Sequence, residues 1–230
     1  MAQDARASVR RLAARWERSQ AERERVRLLY REEDAFYARS LSLVAGVDEA
    51  GRGPLAGPVV VAAVILPPHC FLPKINDSKK LSPKAREALY EQILAAAVAV
   101  GRAIVDEKTI DEINIYRAAE RGMYEAVAAL RPQPQAVLTD ALPLELAVPS
   151  KSLIKGDAIS ASIAAASIVA KVERDRLMCA LDERYPGYGF AKHKGYGTAE
   201  HLAALRAHGP CAIHRRTFEP IKSWGAKACR

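Results

Sequence analysis

The apolar positions of this chain fall into three regimes. Over residues 1–40 they are sparse: Leu12, Trp16, Val26 and Leu29 lie among charges, with no Gly or Pro to interrupt the run. That pattern predicts a charged, surface-lying helix or helix pair. The body starts near residues 41–43 with two short apolar runs, LVAGVDEAGRG (43–53) and GPVVVAAVIL (57–66), joined by a Gly/Pro-rich turn. Their β-branched content and length predict two adjacent buried strands. Residues 83–98 carry helical spacing that stops at Gly101, and GRAIVDE (101–107) reads as the next strand. Helices follow over 110–130, and QAVLTDAL (135–142) reads as a short strand between turn signals. Residues 158–185 predict a long helix, with an Ala/Ser-rich first half that admits a close neighbouring backbone. The order of these elements predicts a mixed α/β sheet flanked by helices. The third regime, from residue 184 to the end, is basic.

Half of the 230 residues are hydrophobic and 27% are charged, an ordinary globular balance for a chain able to bury its own core. The distribution of charge is less ordinary. The first 40 residues hold ten arginines and seven acids. The net charge is +8, and from Arg184 onward nine Lys/Arg face two acids. Tyr185, Tyr188, Phe190 and Tyr196 are interleaved with those cations. Such a mixture suits a phosphate backbone with a stacked sugar or base, so the expected partner is nucleic acid. Cys70, Cys179, Cys211 and Cys229 form no CxxC and no zinc spacing, and Cys211 with His214 is too few ligands for a tetrahedral site. They read as reduced thiols of a cytoplasmic protein. The N-terminus lacks the apolar core of a secretory signal, and the apolar stretch at 55–68 is too short to span a bilayer. No membrane partner and no state beyond a monomer is expected.

The chemistry is signalled by Asp48 and Glu49, adjacent acids that close the first apolar run. Half-burying two neighbouring carboxylates is costly unless a cation neutralises them, and carboxylate oxygens suit magnesium or manganese. A bare acidic pair on its own is better explained as a solvated turn at the strand end. Asp140 in LTDAL stands where another apolar strand ends, and Asp157 in KGDAIS stands ahead of the long helix. Taken singly, the first is a strand-end turn residue and the second a helix N-cap. Taken together, two strand ends and a helix start are positions that converge on one edge of an α/β sheet. Asp77, Asp106, Asp111 and Asp175 are further acids of the body. Strand neighbours point to opposite faces, so Asp48 and Glu49 share one ion only if the strand distorts; otherwise Glu49 serves a second ion. Gly51 and Gly53 would permit a distortion. The Gly51-Arg52-Gly53 tripeptide either makes a tight turn or brings backbone N–H groups and a guanidinium to a phosphate. The five histidines are dispersed, and none stands at a spacing that marks a general base.

Five segments in order, GVDEAGRGPLAGPVVVAAVIL (46–66), NDSKKLS (76–82), LTDAL (138–142), KGDAISASIAAASIVAKVERDRLM (155–178) and HKGYGT (193–198), resemble the type 2 ribonucleases H, and the bacterial HII branch most closely, over about residues 44–218. The resemblance implies an RNase H-like fold, with a mixed central sheet flanked by helices and a helical C-terminal part. It assigns Asp48, Glu49, Asp140 and Asp157 as catalytic metal ligands for two Mn2+ or Mg2+ ions. One ion would activate water, and the other would stabilise the departing 3′ oxygen. It places Gly51, Arg52 and Gly53 on the nucleotides of an RNA–DNA junction, and Lys79 and Lys80 on backbone phosphates. Tyr196 would stack on the deoxyribose and sense the adjoining 2′-OH, the group that distinguishes RNA from DNA. The implied reaction is cleavage of RNA/DNA hybrids, and cutting 5′ of single ribonucleotides embedded in duplex DNA. The products would be 3′-hydroxyl and 5′-phosphate ends, as replication and ribonucleotide excision repair require.

Two other readings are consistent with parts of the pattern. The sister HIII enzymes need a ribonucleotide stretch, usually depart from GRG and carry a larger N-terminal sheet domain, for which forty helix-like residues are too few. A non-catalytic hybrid-binding protein would keep the basic tail and tolerate loss of carboxylates, yet all four are present.

Overall fold

The computed structural model describes residues 2–227. The charged N-terminal segment forms α1 (Ala2–Leu28) and α2 (Arg31–Tyr37). Residues 10–21 of α1 are exposed, whereas Val26, Tyr30, Glu33 and Phe36 are buried against the body. The sheet follows, with β1 (Val44–Ala50), β2 (Val59–Ile65), β3 (Ala99–Val105), β4 (Ala136–Asp140) and β5 (Ser150–Leu153) in the spatial order β3-β2-β1-β4-β5. β2 is antiparallel to both β1 and β3, while β1, β4 and β5 run parallel, so the carboxyl ends of those three strands share one edge.

Two helices cover the sheet. α5 (Ala161–Arg184) lies on one face, where Ala161, Ala164, Ala165 and Ile168 pack with Ala62 and Val64. α4 (Glu107–Ala128) lies on the other, packing Ala119, Met123 and Ala126 on Ala45, Val47, Val61 and Ala63. The small residues of α5 let it press onto β1: a Cβ at Gly46 would lie 2.0 Å from the main chain of Ser162. α3 (Pro83–Ala96) flanks α5. The C-terminal part contributes α6 (Phe190–His193), α7 (Ala199–His208) and α8 (Ile221–Lys227), and it packs Phe190, Leu205, Ile213 and Ile221 against Leu55 and Ala56. A bridge between Ala56 and His214 ties this part to the loop after β1. Ser82, Asp106, Ser160 and Thr198 cap α3, α4, α5 and α7 through their side-chain oxygens.

The sequence pattern differs from the structure at three places. β3 begins at Ala99 rather than 101, because the chain pairs with β2 through Gly101, where a side chain would collide with Ala126 O. β5 has three exposed residues out of four and no apolar run, so no periodicity announced it. α4 is kinked at Asn114, which has φ 67° and accepts a hydrogen bond from Arg117 N, restarting the helix like an internal cap. Among the described residues no helix is long and apolar enough to cross a membrane. Cys70, Cys179 and Cys211 are free thiols, and Cys229 lies outside the described residues.

Candidate active site

The parallel register of β1 and β4 matches Val47 with Thr139, so the next residues, Asp48 and Asp140, stand side by side at the carboxyl edge. The chain leaving β5 makes a short 3-10 turn at Gly156–Ala158 that brings in Asp157. Gly156 N donates to Asp140 Oδ1 at 2.8 Å, tying turn to strand. One oxygen of each of Asp48, Asp140 and Asp157 lies within 4.8 Å of the others. Asp157 is not the cap of α5; Ser160, accepting from Ile163 N, takes that place, which frees the Asp157 carboxylate to face the other acids.

Glu49 is placed differently. The pairing of β1 with β2 stays regular through Ala50 and Val60, so the strand does not distort and Glu49 departs from its neighbour by ordinary alternation. Its Oε1 lies 3.2 Å from Arg52 Nη1, and its Oε2 is buried with no hydrogen-bond partner among the described residues. Glu49 nonetheless opens onto the same cleft as Asp140, Lys79, Arg52, Gly53 and Tyr196, a space of about 410 Å3.

The electrostatics are those of a site short of positive charge. Asp48 is 4% exposed. Burial, and then the charges of Glu49 and Asp140, raise its pKa well above the ordinary carboxylate range, while Ser167 partly offsets them. Burial also raises Glu49, against Arg52. Burial and the charges of Asp77 and Asp140 raise Asp157, against Lys79. Lys79 Nζ sits 4.0 Å from Asp157 Oδ2; burial opposes its charge, yet Asp157, Asp48, Asp77 and Asp140 together raise its pKa. Lys80 is exposed beside the neighbouring recess that Asp77, Asp140 and Asp157 line. Oxygen-only donors, mutual repulsion and an unpartnered buried oxygen fit hard divalent cations.

The other wall is the Gly51-Arg52-Gly53 loop. Gly51 has φ +104°, and a Cβ there would lie 2.1 Å from Arg174 Nε, so both conformation and space require glycine. Arg174 donates to Pro58 O, Ala56 O and Lys194 O. Arg215, fully buried, donates to Gly51 O at 2.6 Å, Arg52 O at 2.9 Å and Gly57 O at 2.8 Å. Burial pushes the two guanidiniums down to about 10 and about 9, so both remain cationic at neutral pH. These two arginines escape the sequence reading, as does Ser167, and Asp77 stands there only among the further acids of the body. Arginine in VERDR and HRR looks like surface charge, and its burial depends on main-chain carbonyls brought from elsewhere. Tyr196 is 46% exposed in the cleft, and its Cε1 would lie 3.7 Å from a Cβ at Gly53.

The sequence model of the Ribonuclease HII family matches residues 45–221. The chain is 56% identical over 223 residues to ribonuclease HII of Geobacillus thermodenitrificans, covering 95% of this chain and 86% of that protein. It is 54% identical over 224 residues to ribonuclease HII of Enterococcus faecalis, covering 96% and 88%. Among solved structures, the ribonuclease H2 of Pyrococcus horikoshii superposes with a TM-score of 0.69 at 26% identity over 81% of this chain and 99% of that one. The ribonuclease HII of Archaeoglobus fulgidus, solved as a complex with PCNA, gives 0.64 at 26% identity over 77% and 95%. A ribonuclease HIII shares the fold, with a TM-score of 0.60 at 23% identity over 84% and 73%. The chain belongs to the ribonuclease HII family and is a ribonuclease H, a hydrolytic nuclease.

Proposed function

We propose that the chain cuts the RNA strand of RNA/DNA hybrids and cuts 5′ of single ribonucleotides in duplex DNA, with Asp48, Glu49, Asp140 and Asp157 holding two divalent cations. The observation that carries this reading is the gathering of three aspartates at one sheet edge beside a buried, unpartnered glutamate oxygen. Left uncompensated, that excess of negative charge opposes folding, and divalent cations held by the carboxylate oxygens would offset it. Bound there, divalent cations supply Lewis acidity for a water nucleophile and for the leaving 3′ oxygen. Manganese and magnesium both suit the donor set.

The chain's own residues do the rest. Lys79 and Lys80 flank the acids and meet backbone phosphates. Arg52 bridges the acidic wall and the glycine loop, so it neutralises Glu49 in the free protein and reaches a phosphate when the duplex arrives. Gly53 leaves room for a sugar under Tyr196, whose ring stacks on the deoxyribose and senses the adjoining 2′-OH.

The test is metal-dependent cleavage of a duplex containing one ribonucleotide, with the product ends mapped. The expected result is a single cut 5′ of the ribonucleotide, leaving 3′-hydroxyl and 5′-phosphate, with either ion and not after chelation. Refusal of that substrate alongside cleavage of a ribonucleotide stretch would indicate HIII-like specificity. Binding without any product, with either ion, would indicate a hybrid-binding module.

A further inference from the structure

Beneath Tyr196 lies a second polar cluster that takes no part in the site above. His193, His201 and His214 are buried together among Tyr188, Phe190 and Leu205 in the C-terminal part. A neutral imidazole donates through one ring nitrogen and accepts through the other, and its neighbours decide which. Here the main chain decides. Cys211 N donates to His214 Nδ1 at 2.9 Å, so that nitrogen carries a lone pair and the ring proton sits on Nε2. His214 Nε2 faces His201 Nε2 at 3.0 Å, so His201 accepts there and keeps its own proton on Nδ1. His201 Nδ1 then donates to the main-chain oxygen of Tyr196 at 2.9 Å. His193 is fixed in the same manner: Gly195 N donates to its Nδ1 at 3.2 Å, and its Nε2 donates to Tyr188 O at 2.8 Å. Its ring stacks on His201 with centroids 4.4 Å apart.

We propose that His214 and His201 are positioning residues for the cleavage reaction: they form a proton-ordered chain that fixes the main chain of Tyr196, and thereby where its ring meets the sugar at the RNA–DNA junction. This rests on the role given to Tyr196 above. Each ring nitrogen in the chain has one assignment, and each assignment follows from the one before it. An extra proton on either ring sets two N–H groups against each other, either at the His201–His214 contact or at the Cys211 amide. The other titratable or charged groups around the chain are His193 on α6, His208 on α7 behind Tyr188, Tyr188 itself, Cys211 and Arg216. Arg174 and Leu55 hold the same segment through Lys194 O and Gly195 O. The histidine chain therefore sets Tyr196 within a loop that is already anchored, and its loss is expected to displace the tyrosine rather than release the loop.

The experiment uses the full chain. Long-range 15N correlation spectra at pH 7.5 read the tautomers directly. The Nε2–H form is expected for His214 and His193, and the Nδ1–H form for His201. The opposite form at His201, or a doubly protonated ring at either member of the pair, overturns the relay. His201→Leu removes the donor to Tyr196. His201→Asn retains one, because the Asn amide nitrogen occupies the place of Nδ1. With manganese, His201→Leu is expected to lower kcat/KM on a single-ribonucleotide duplex about tenfold more than on a continuous hybrid, with His201→Asn recovering most of that gap. Equal losses on both substrates, alongside a selective loss in Tyr196→Ala, overturn the positioning role. If Tyr196→Ala itself shows no selectivity, the role of the tyrosine fails, and the spectra still decide the proton order. Melting curves for each variant separate a displaced tyrosine from an unfolded chain.

Discussion

Two buried polar clusters, one at the carboxyl edge of the sheet and one in the C-terminal part, solve opposite problems. The acids of β1, β4 and the 156–158 turn repel one another, and one carboxylate oxygen has no partner. The imidazoles beside α6 and α7 satisfy each other and the main chain, and carry no charge when complete. A closed network rigidifies what it touches. An open, like-charged one is a standing demand for something from outside. That contrast separates a binding site from its scaffold without reference to any ligand.

Asp140→Asn breaks the comparison most severely. A neutral amide keeps the shape and removes one of three clustered charges, so cleavage is expected to fall more than ~1,000-fold, about 4 kcal/mol of transition-state stabilisation. Duplex affinity should hold, and the metal-free protein should melt slightly higher, since the charge of Asp140 raises the cost of ionising Asp48 and Glu49. Cleavage kinetics, gel shifts and melting curves check all three. Substantial residual turnover would remove Asp140 from the metal ligands.

The scaffold responds in the other direction. Arg215→Met strips the donors from Gly51 O, Arg52 O and Gly57 O inside the fold, and about 3 kcal/mol of stability is expected to be lost by denaturant titration. Added manganese should recover little of it, because the lesion lies in the glycine loop rather than among the acids. A loss below ~1 kcal/mol would mean that those carbonyls find water instead.

Acid sharpens the contrast, because the signs differ. Burial, and then His201, lower the His214 pKa from 6.5 to about 4. Its contribution is therefore fully present above pH 6.5 and lost as pH falls toward 4, on the order of 3 kcal/mol for this one ring. The raised carboxylates work oppositely: in the metal-free protein their repulsion is relieved as they take up protons. Between pH 6.5 and 4.5, wild type is expected to lose stability relative to His214→Gln, the carboxylate contribution being common to both. Parallel curves for the two proteins would contradict the neutral state of the histidines.

How far the sequence could announce these clusters follows from their physics. Asp48 and Asp140 are legible because a charge at the end of an apolar strand is conspicuous, and the five shared segments carry the rest of the family resemblance. The β5 strand, SKSL, is not legible, since it is mostly solvent-facing and takes its conformation from its β4 partner. Arg174, Arg215 and the histidines are likewise silent. Their residue types suit a surface equally well, and what buries them is the arrival of carbonyls from Ala56, Gly51 and Tyr196, which no local pattern encodes. Asp157 is intermediate: its place ahead of a helix suggests a cap, and only the three-residue offset to Ser160 shows that it is not one.

The smallest effect expected belongs to Lys79, the cation that partly serves the acidic cluster and has no counterpart among the imidazoles. Its side chain is 78% exposed, so its 4.0 Å approach to Asp157 is screened by solvent and worth little on its own. Lys79→Met should then act on two ligands with opposite sign. Without a competing positive charge, manganese should bind the free protein roughly twofold to fivefold tighter, within the modest range open to an exposed charge. Without a phosphate contact, duplex affinity should fall, and the slope of log affinity against log salt should drop by about 0.9. Calorimetry with manganese and duplex titrations at several salt concentrations separate the two effects. A salt slope identical to wild type would assign Lys79 to the acids alone, leaving the phosphate to Lys80 or Arg52.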